Sequence, residues 1–266
     1  MDGRRDLRSP PFPAMPAVPA ASVPANANTA AAKVAPVAAS LVLLVAAAGA
    51  LVLPIVGRAP LGKRAYTMAL QCALFVHGTR AAKQHAPAGP VWPLGQYVQK
   101  WRAALPPLVA STDFQYAFAA FVFALVSTSR PISITLVPFA VLALYHTVTF
   151  FNANLGTTTL WRLYGKRLFE VLRTYQQHAL LLNAQCEIAV LPLSLLHALI
   201  PDKAGKRQTI FTVLLYAQYL RLRYASADAK KYHHALWSRA YGYVAPLAAR
   251  VPYGAAALDR LCALLS

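Results

Sequence analysis

Glu187 is the residue best placed to do chemistry, because it is an acid inside the apolar run 179–200 (ALLLNAQCEIAVLPLSLLHALI). An ionisable side chain surrounded by hydrocarbon is costly to keep, so its presence points to a purpose. Asn183 stands one helical turn earlier on the same face, and the two form an Asn–Glu patch able to bind a partner helix. Two uses follow from these residue types. Glu187 pins a helix contact, protonated or hydrogen-bonded to a neighbouring helix, or it carries protons or ions in a small transporter or channel subunit. A transporter would set several polar residues on facing runs. The sequence holds one such cluster, which favours the pin.

Other reactive side chains lack a workable spacing. His197 and Asp202 form an H-x4-D pair, the pattern in which a histidine activates a hydroxyl for acyl transfer to a glycerolipid. The phosphate-contacting string expected after such a pair, Gly78-Thr79-Arg80, comes before it instead, and His77 stands where an acid would be needed. His233 and His234 are adjacent, so on a helix they point about 100° apart and make a poor chelate. Cys72, Cys186 and Cys262 lie far apart with no C-x-x-C pair, which excludes a disulfide scaffold and a zinc-finger pattern. Nothing resembles a glycine-rich phosphate loop, a Ser/His/Asp set or paired carboxylates. No catalytic, cofactor-binding or metal-ligating residue is therefore assigned, and the reading is non-enzymatic.

The elements that hold these residues belong in a bilayer. Of the residues, 58% are hydrophobic and only 13% charged, about half the charged share of a soluble domain, roughly 25%. Lys and Arg number 26 against 8 Asp and Glu, for a net charge of +18. Nucleic acid would explain such a balance in a soluble protein, but these basic residues sit between and after apolar blocks. That placement fits anionic lipid headgroups and no nucleic acid. Residues 34–56 carry no charge between Lys33 and Arg58 and are long enough to cross about 30 Å of hydrocarbon. Residues 65–78 are shorter and should lie at the interface, re-enter, or pack on the first span. Prolines 87, 90 and 93 then break the chain before a basic stretch with Lys100 and Arg102. Runs 114–127 and 131–151 are separated by a few residues and should be adjacent antiparallel helices, the first capped by Ser111, Thr112 and Asp113, the second opened by Pro131. Residues 160–178 alternate Leu, Phe and Tyr with Arg and Lys, as a surface helix does. Run 179–200 can span, and 209–220 is too short to do so comfortably.

The C-terminal part is amphipathic. At about 100° per residue, Tyr232, Leu236, Trp237, Ala240, Tyr243, Val244 and Leu247 share one arc of about 140°, with Lys230 and Lys231 outside it. The membrane-binding set is thus Lys230, Lys231, Tyr232, Leu236, Trp237, Arg239, Tyr243 and Leu247. Leu258, Leu261 and Leu265 form a second short stripe. The whole reads as an all-α polytopic membrane protein with three or four transmembrane helices plus interfacial amphipathic helices. It divides into a disordered Pro/Ala-rich tail (1–33), a helical membrane domain (34–224) and a basic amphipathic tail (225–266). Short hairpins and an amphipathic tail suit a protein that organises or shapes membrane. If 65–78 returns to the starting side, most of the positive charge and the C-terminus fall in the cytosol.

The order of these pieces resembles the transmembrane protein 33 (Krüppel homologue 2) family from about Tyr66 onward. The resemblance is carried by Ser-Arg-Pro-Ile at 129–132 with Phe-Ala-Val-Leu-Ala-Leu-Tyr-His at 139–146, by Cys-Glu-Ile at 186–188 with Leu-Pro at 191–192, and by Leu-Arg-Tyr-Ala-Ser at 222–226. It implies a multi-pass protein of the endoplasmic reticulum membrane and nuclear envelope. It also implies partnership with reticulon-type proteins and nucleoporins, and an influence on membrane curvature and nuclear pore distribution.

Overall fold

The computed structural model describes residues 27–87, 94–126, 131–199 and 206–250, with Tyr253, Ala256, Asp259 and Arg260 beyond them. Nine α-helices lie within the described residues, and no strand does. α1 (Ala27–Ile55) and α2 (Ala59–His85) are joined by a turn that Gly57 makes possible. Gly57 sits at φ 79°, its N–H donates to Pro54 O (3.2 Å), and the Arg58 N–H donates to Leu53 O (2.8 Å). That is a Schellman end, which needs a left-handed residue after the helix. Pro60 then opens α2 without losing a backbone bond. Gly62 faces the ring of Pro54 and Gly49 faces Ala65, so the two helices run antiparallel at close range. Alanines 46, 47, 50, 69 and 73, all buried, let the backbones approach.

α3 (Leu94–Ala110) ends at Ser111, whose N–H donates to Leu108 O (3.0 Å). The hydroxyl of Ser111 then caps α4 (Thr112–Val126) by accepting from the Phe114 N–H (3.3 Å), and the chain turns by 80°. A single 3-10 turn (Ser133–Thr135) leads into α5 (Leu136–Leu155). A π-helical turn (Trp161–Gly165) and α6 (Lys166–Thr174) precede α7 (Gln176–Leu199), followed by α8 (Lys206–Ala225) and α9 (Lys230–Ala248).

Side-chain pairs set the directions. Tyr66 bonds Thr135 (2.9 Å) and His77 lies 6.4 Å from His146, so α5 runs parallel to α2. His77 also bonds Asp113 at the start of α4 (2.7 Å), which makes α4 antiparallel to both. Phe123 stacks on Tyr216 (5.1 Å) while Arg223 reaches Tyr116 (3.0 Å), so α8 is antiparallel to α4. Tyr145 bonds Leu172 O (2.8 Å) and Val190 lies near Thr135, so α7 is antiparallel to α5. Accordingly α1, α4 and α7 finish at one end of the bundle. At the other end α2, α5 and α8 finish, and α3, the segment 161–174 and α9 are attached there.

Helices Val34–Ile55, Ser133–Leu155 and Gln176–Leu196 are long and apolar enough to cross a membrane, and α3 with α4 would be a fourth if counted as one bent span. The chain is thus an all-α polytopic membrane protein, as its apolar runs indicated. Several boundaries differ from expectation. The first apolar span runs Val34–Ile55, within a residue of its expected limits, and α1 extends ahead of it to Ala27 through an alanine-rich stretch with no proline between Pro24 and Pro36. The run 65–78 is the middle of a 27-residue helix that takes in Lys63, Arg64, Arg80 and Lys83 at its ends, and it packs on the first span. The basic stretch around Lys100, given no element in the sequence reading, is a helix that begins just after prolines 87, 90 and 93. The two arms joined by the short link are not a closely packed pair. α4 lies along α2 and α8, α5 along α1 and α7, and the arms meet where Tyr116 touches Phe139 (5.8 Å). Residues 1–26, Asp202, Leu258, Leu261 and Leu265 lie outside the described residues.

Candidate functional site

Glu187 is 1% exposed and lies where α4, α7, α8 and α9 converge. The Tyr116 hydroxyl donates to its Oε1 (2.6 Å). Its Oε2 accepts from Arg223 Nε (3.2 Å) and from His233 Nε2 (2.9 Å). A carboxylate offers only acceptors, so the proton of His233 is on Nε2. Arg223 continues outward: Nη2 donates to the Tyr116 hydroxyl (3.0 Å), Nη1 to Gln115 Oε1 (3.4 Å), and the guanidinium stands 4.7 Å over the Tyr116 ring. Gln115 Nε2 in turn reaches Val109 O and Ala110 O (3.3 Å each), carbonyls left open where α3 ends. Tyr216 donates to the backbone carbonyl of Glu187 (2.8 Å).

This junction joins four helices through one carboxylate. An ion pair away from water costs several kcal/mol of desolvation per charge unless further hydrogen bonds complete it. Here Tyr116, Gln115 and His233 do so. The void beside it, bordered by Tyr116, Phe123, Thr135, Glu187 and Tyr216, measures about 10 Å³, the lower limit for one water. Both carboxylate oxygens are thus occupied from within the chain, an arrangement that holds helices in register.

Asn183 does not join the junction. It is 2% exposed, and among the described residues neither its Oδ1 nor its Nδ2 has a partner. The partners of Glu187 come instead from α4, α8 and α9. Sequence reasoning missed them, since Arg223 entered it only within the string at 222–226 and His233 only as half of a non-chelating pair. His233 was legible in one respect, since at about 100° per residue it falls inside the apolar arc of α9.

That placement divides the expected membrane-binding stripe. His233 is fully buried, and Trp237 beside it is half-buried against the bundle, as is Tyr232. Tyr243 (80%) and Val244 (44%) overhang it. Lys230, Lys231 and Arg239 are exposed, with the Lys231 ammonium 4.9 Å over the Tyr232 ring. The side chain of Leu247 lies outside the described residues. Around the bend at Ser111 a second polar group forms. His77 Nδ1–H donates to Asp113 Oδ1, and Thr112 donates to Asp228 Oδ2 (3.2 Å), which ties the approach to α9 to the start of α4. Among the described residues no three His, Cys, Asp or Glu side chains converge as a metal site.

Fold and junction together define a multi-pass membrane protein whose helices are locked by an internal ion pair. The chain belongs to the transmembrane protein 33/nucleoporin POM33 family, whose model matches residues 92–240, more than half of its length. The match begins at α3, later than Tyr66, and takes in Glu187, Arg223 and His233. No curated protein and no solved structure matches the chain.

Proposed function

We propose that this chain is a non-enzymatic organiser of endoplasmic reticulum and nuclear envelope membrane, its basic C-terminal helix applied to the cytosolic headgroup layer. The observation that carries this reading is the attachment of α9. His233 anchors its first half to the bundle, while Tyr243 and Val244 project beyond it and Lys230, Lys231 and Arg239 face outward. A helix held at one end of a bundle, with apolar and basic groups turned outward, adds area to one leaflet. The family match supports the location. In this reading nucleoporins and reticulon-type proteins are the partners, and nuclear pore distribution is the outcome. Glu187 serves the bundle and carries no transported ion.

Two measurements test it. The tagged chain should resist carbonate extraction and appear in reticular and perinuclear membrane. Reconstituted into large vesicles containing anionic lipid, the full chain should narrow them, as seen by electron cryomicroscopy. Tyr243→Ser with Val244→Ser should weaken that effect at any salt concentration. Lys230→Ala with Lys231→Ala should weaken it mainly at low salt, since each basic residue contributes about 1 kcal/mol near an anionic surface. Vesicles of unchanged diameter with the unaltered chain would contradict the proposal.

A further inference from the structure

α3 touches α2 and α4 yet places no residue in the buried core. At about 100° per residue, Leu94, Val98, Trp101, Leu105, Leu108 and Val109 share an arc of about 100°, with Gln96, Gln99 and Ala103 opposite. The arc is divided. Trp101, Leu108 and Val109 are half-buried, whereas Leu94, Val98 and Leu105 are 56%, 43% and 47% exposed. Lys100 and Arg102, both exposed, stand toward its two sides. Tyr97 and Trp101 form an edge-to-face pair (6.3 Å) along the same helix.

The direction of α3 says what covers this edge. α4 runs along the bundle axis, antiparallel to α2, and α3 meets it at 80°. α3 therefore lies across the end of the bundle, at the level where spans leave the hydrocarbon. In water the exposed arc would gain nothing. In the boundary between headgroups and acyl chains the same arc is buried, the Lys and Arg stems snorkel outward, and Tyr and Trp sit at their preferred depth.

We infer that α3 is an in-plane membrane helix, with its Leu94–Val98–Leu105 edge in the acyl boundary and Lys100 and Arg102 on anionic headgroups. It shares its leaflet with the segment 161–174, whose Leu163, Tyr164 and Leu168 are exposed, and with α9. Each returning helix of the bundle, α2, α5 and α8, is thus followed by one amphipathic segment on the same side. This deepens the proposed function and rests on its membrane-surface reading, because three such helices in one leaflet expand it more than a tail alone.

The test is depth measurement on the full chain, with Cys72, Cys186 and Cys262 replaced by Ala, in vesicles of phosphatidylcholine and phosphatidylserine. Nitroxide labels are placed singly through Val98→Cys, Leu105→Cys, Gln99→Cys and Ala103→Cys. Labels at 98 and 105 should collide with oxygen in preference to a nickel chelate, at about 5–10 Å below the phosphates. Labels at 99 and 103 should show the reverse. Equal nickel access at all four sites puts α3 in water and overturns the inference. Poor access to both agents at 98 and 105 puts the edge against protein and overturns it as well. If α3 is immersed while vesicles keep their diameter, the proposed function fails and this inference stands.

Discussion

Arg223 enters the junction with three nitrogens engaged, on Glu187, Tyr116 and Gln115, and its side chain is 7% exposed. A cation so placed depends on its carboxylate. Glu187→Gln keeps a hydrogen-bonding amide but leaves the guanidinium without a counter-ion, so it should cost about 3–5 kcal/mol. The check is thermal unfolding in mild detergent, where Glu187→Gln should melt well below the unaltered chain. The double change Glu187→Leu with Arg223→Met should recover most of the loss, because it removes both charges together. An unaltered melting point for Glu187→Gln would remove the pin. Asn183 presents the opposite case, with a buried amide that has no partner among the described residues. Asn183→Leu should raise stability by about 1–3 kcal/mol, the cost of an unmet buried polar group. Dissociation of an oligomer on that change would instead assign Asn183 to a contact between chains. Glu187 stood out in the sequence because an acid among leucines has no other explanation. Its partners did not, because Arg223 and His233 lie 36 and 46 residues away in polar helix ends, and periodicity carries no information about such pairings.

The α1/α2 pair is the element most exposed to a single substitution. A Cβ on Gly62 would meet Cγ and Cδ of Pro54 at 2.7 and 2.8 Å, atoms of a rigid ring that cannot swing aside. Gly62→Ala should therefore part the helices and cost about 1–3 kcal/mol. Gly78→Ala, which meets nothing within 4 Å, is the control and should not. Proteolysis at the Gly57 turn reports the difference. Apolar length alone made α1, α5 and α7 legible, since a span must be long and uncharged. α3 was obscured by Pro106 and Pro107, which sit inside it near its C-terminal end, and by prolines 87, 90 and 93 before it. The i, i+4, i+7, i+11 series Leu94, Val98, Trp101 and Leu105 was the signal that could have revealed it. The short link between runs 114–127 and 131–151 suggested direct packing of the arms. Small residues decided otherwise, with Ala117, Ala119 and Ala120 all buried along α4, which lies on α2 and α8.

At the scale of the whole molecule, three apolar spans (α1, α5 and α7) alternate in direction with α2, α4 and α8, which pack lengthwise in the same bundle, and every amphipathic helix follows a returning one. This places Arg80, Lys83, Lys100, Arg102, Arg167 and Arg173 at the same end as α9 with its Lys230, Lys231 and Arg239, whereas Arg58, Lys63 and Arg64 and the first two residues of α8, Lys206 and Arg207, stand at the other. Because α2 brings the chain back beside α1, the basic residues between 80 and 102 share an end with the C-terminal helix. The excess then falls on one side, as membrane insertion favours for the cytosol. The most direct measurement of this account is glycosylation mapping with acceptor loops inserted singly after Gly57, Thr128, Lys203, Gly89, Gly156 and Ser266. Insertions at 57, 128 and 203 should behave alike and be glycosylated, while those at 89, 156 and 266 should all stay unmodified. Glycosylation at any of the second group together with any of the first would contradict the antiparallel bundle and its one-sided set of amphipathic helices.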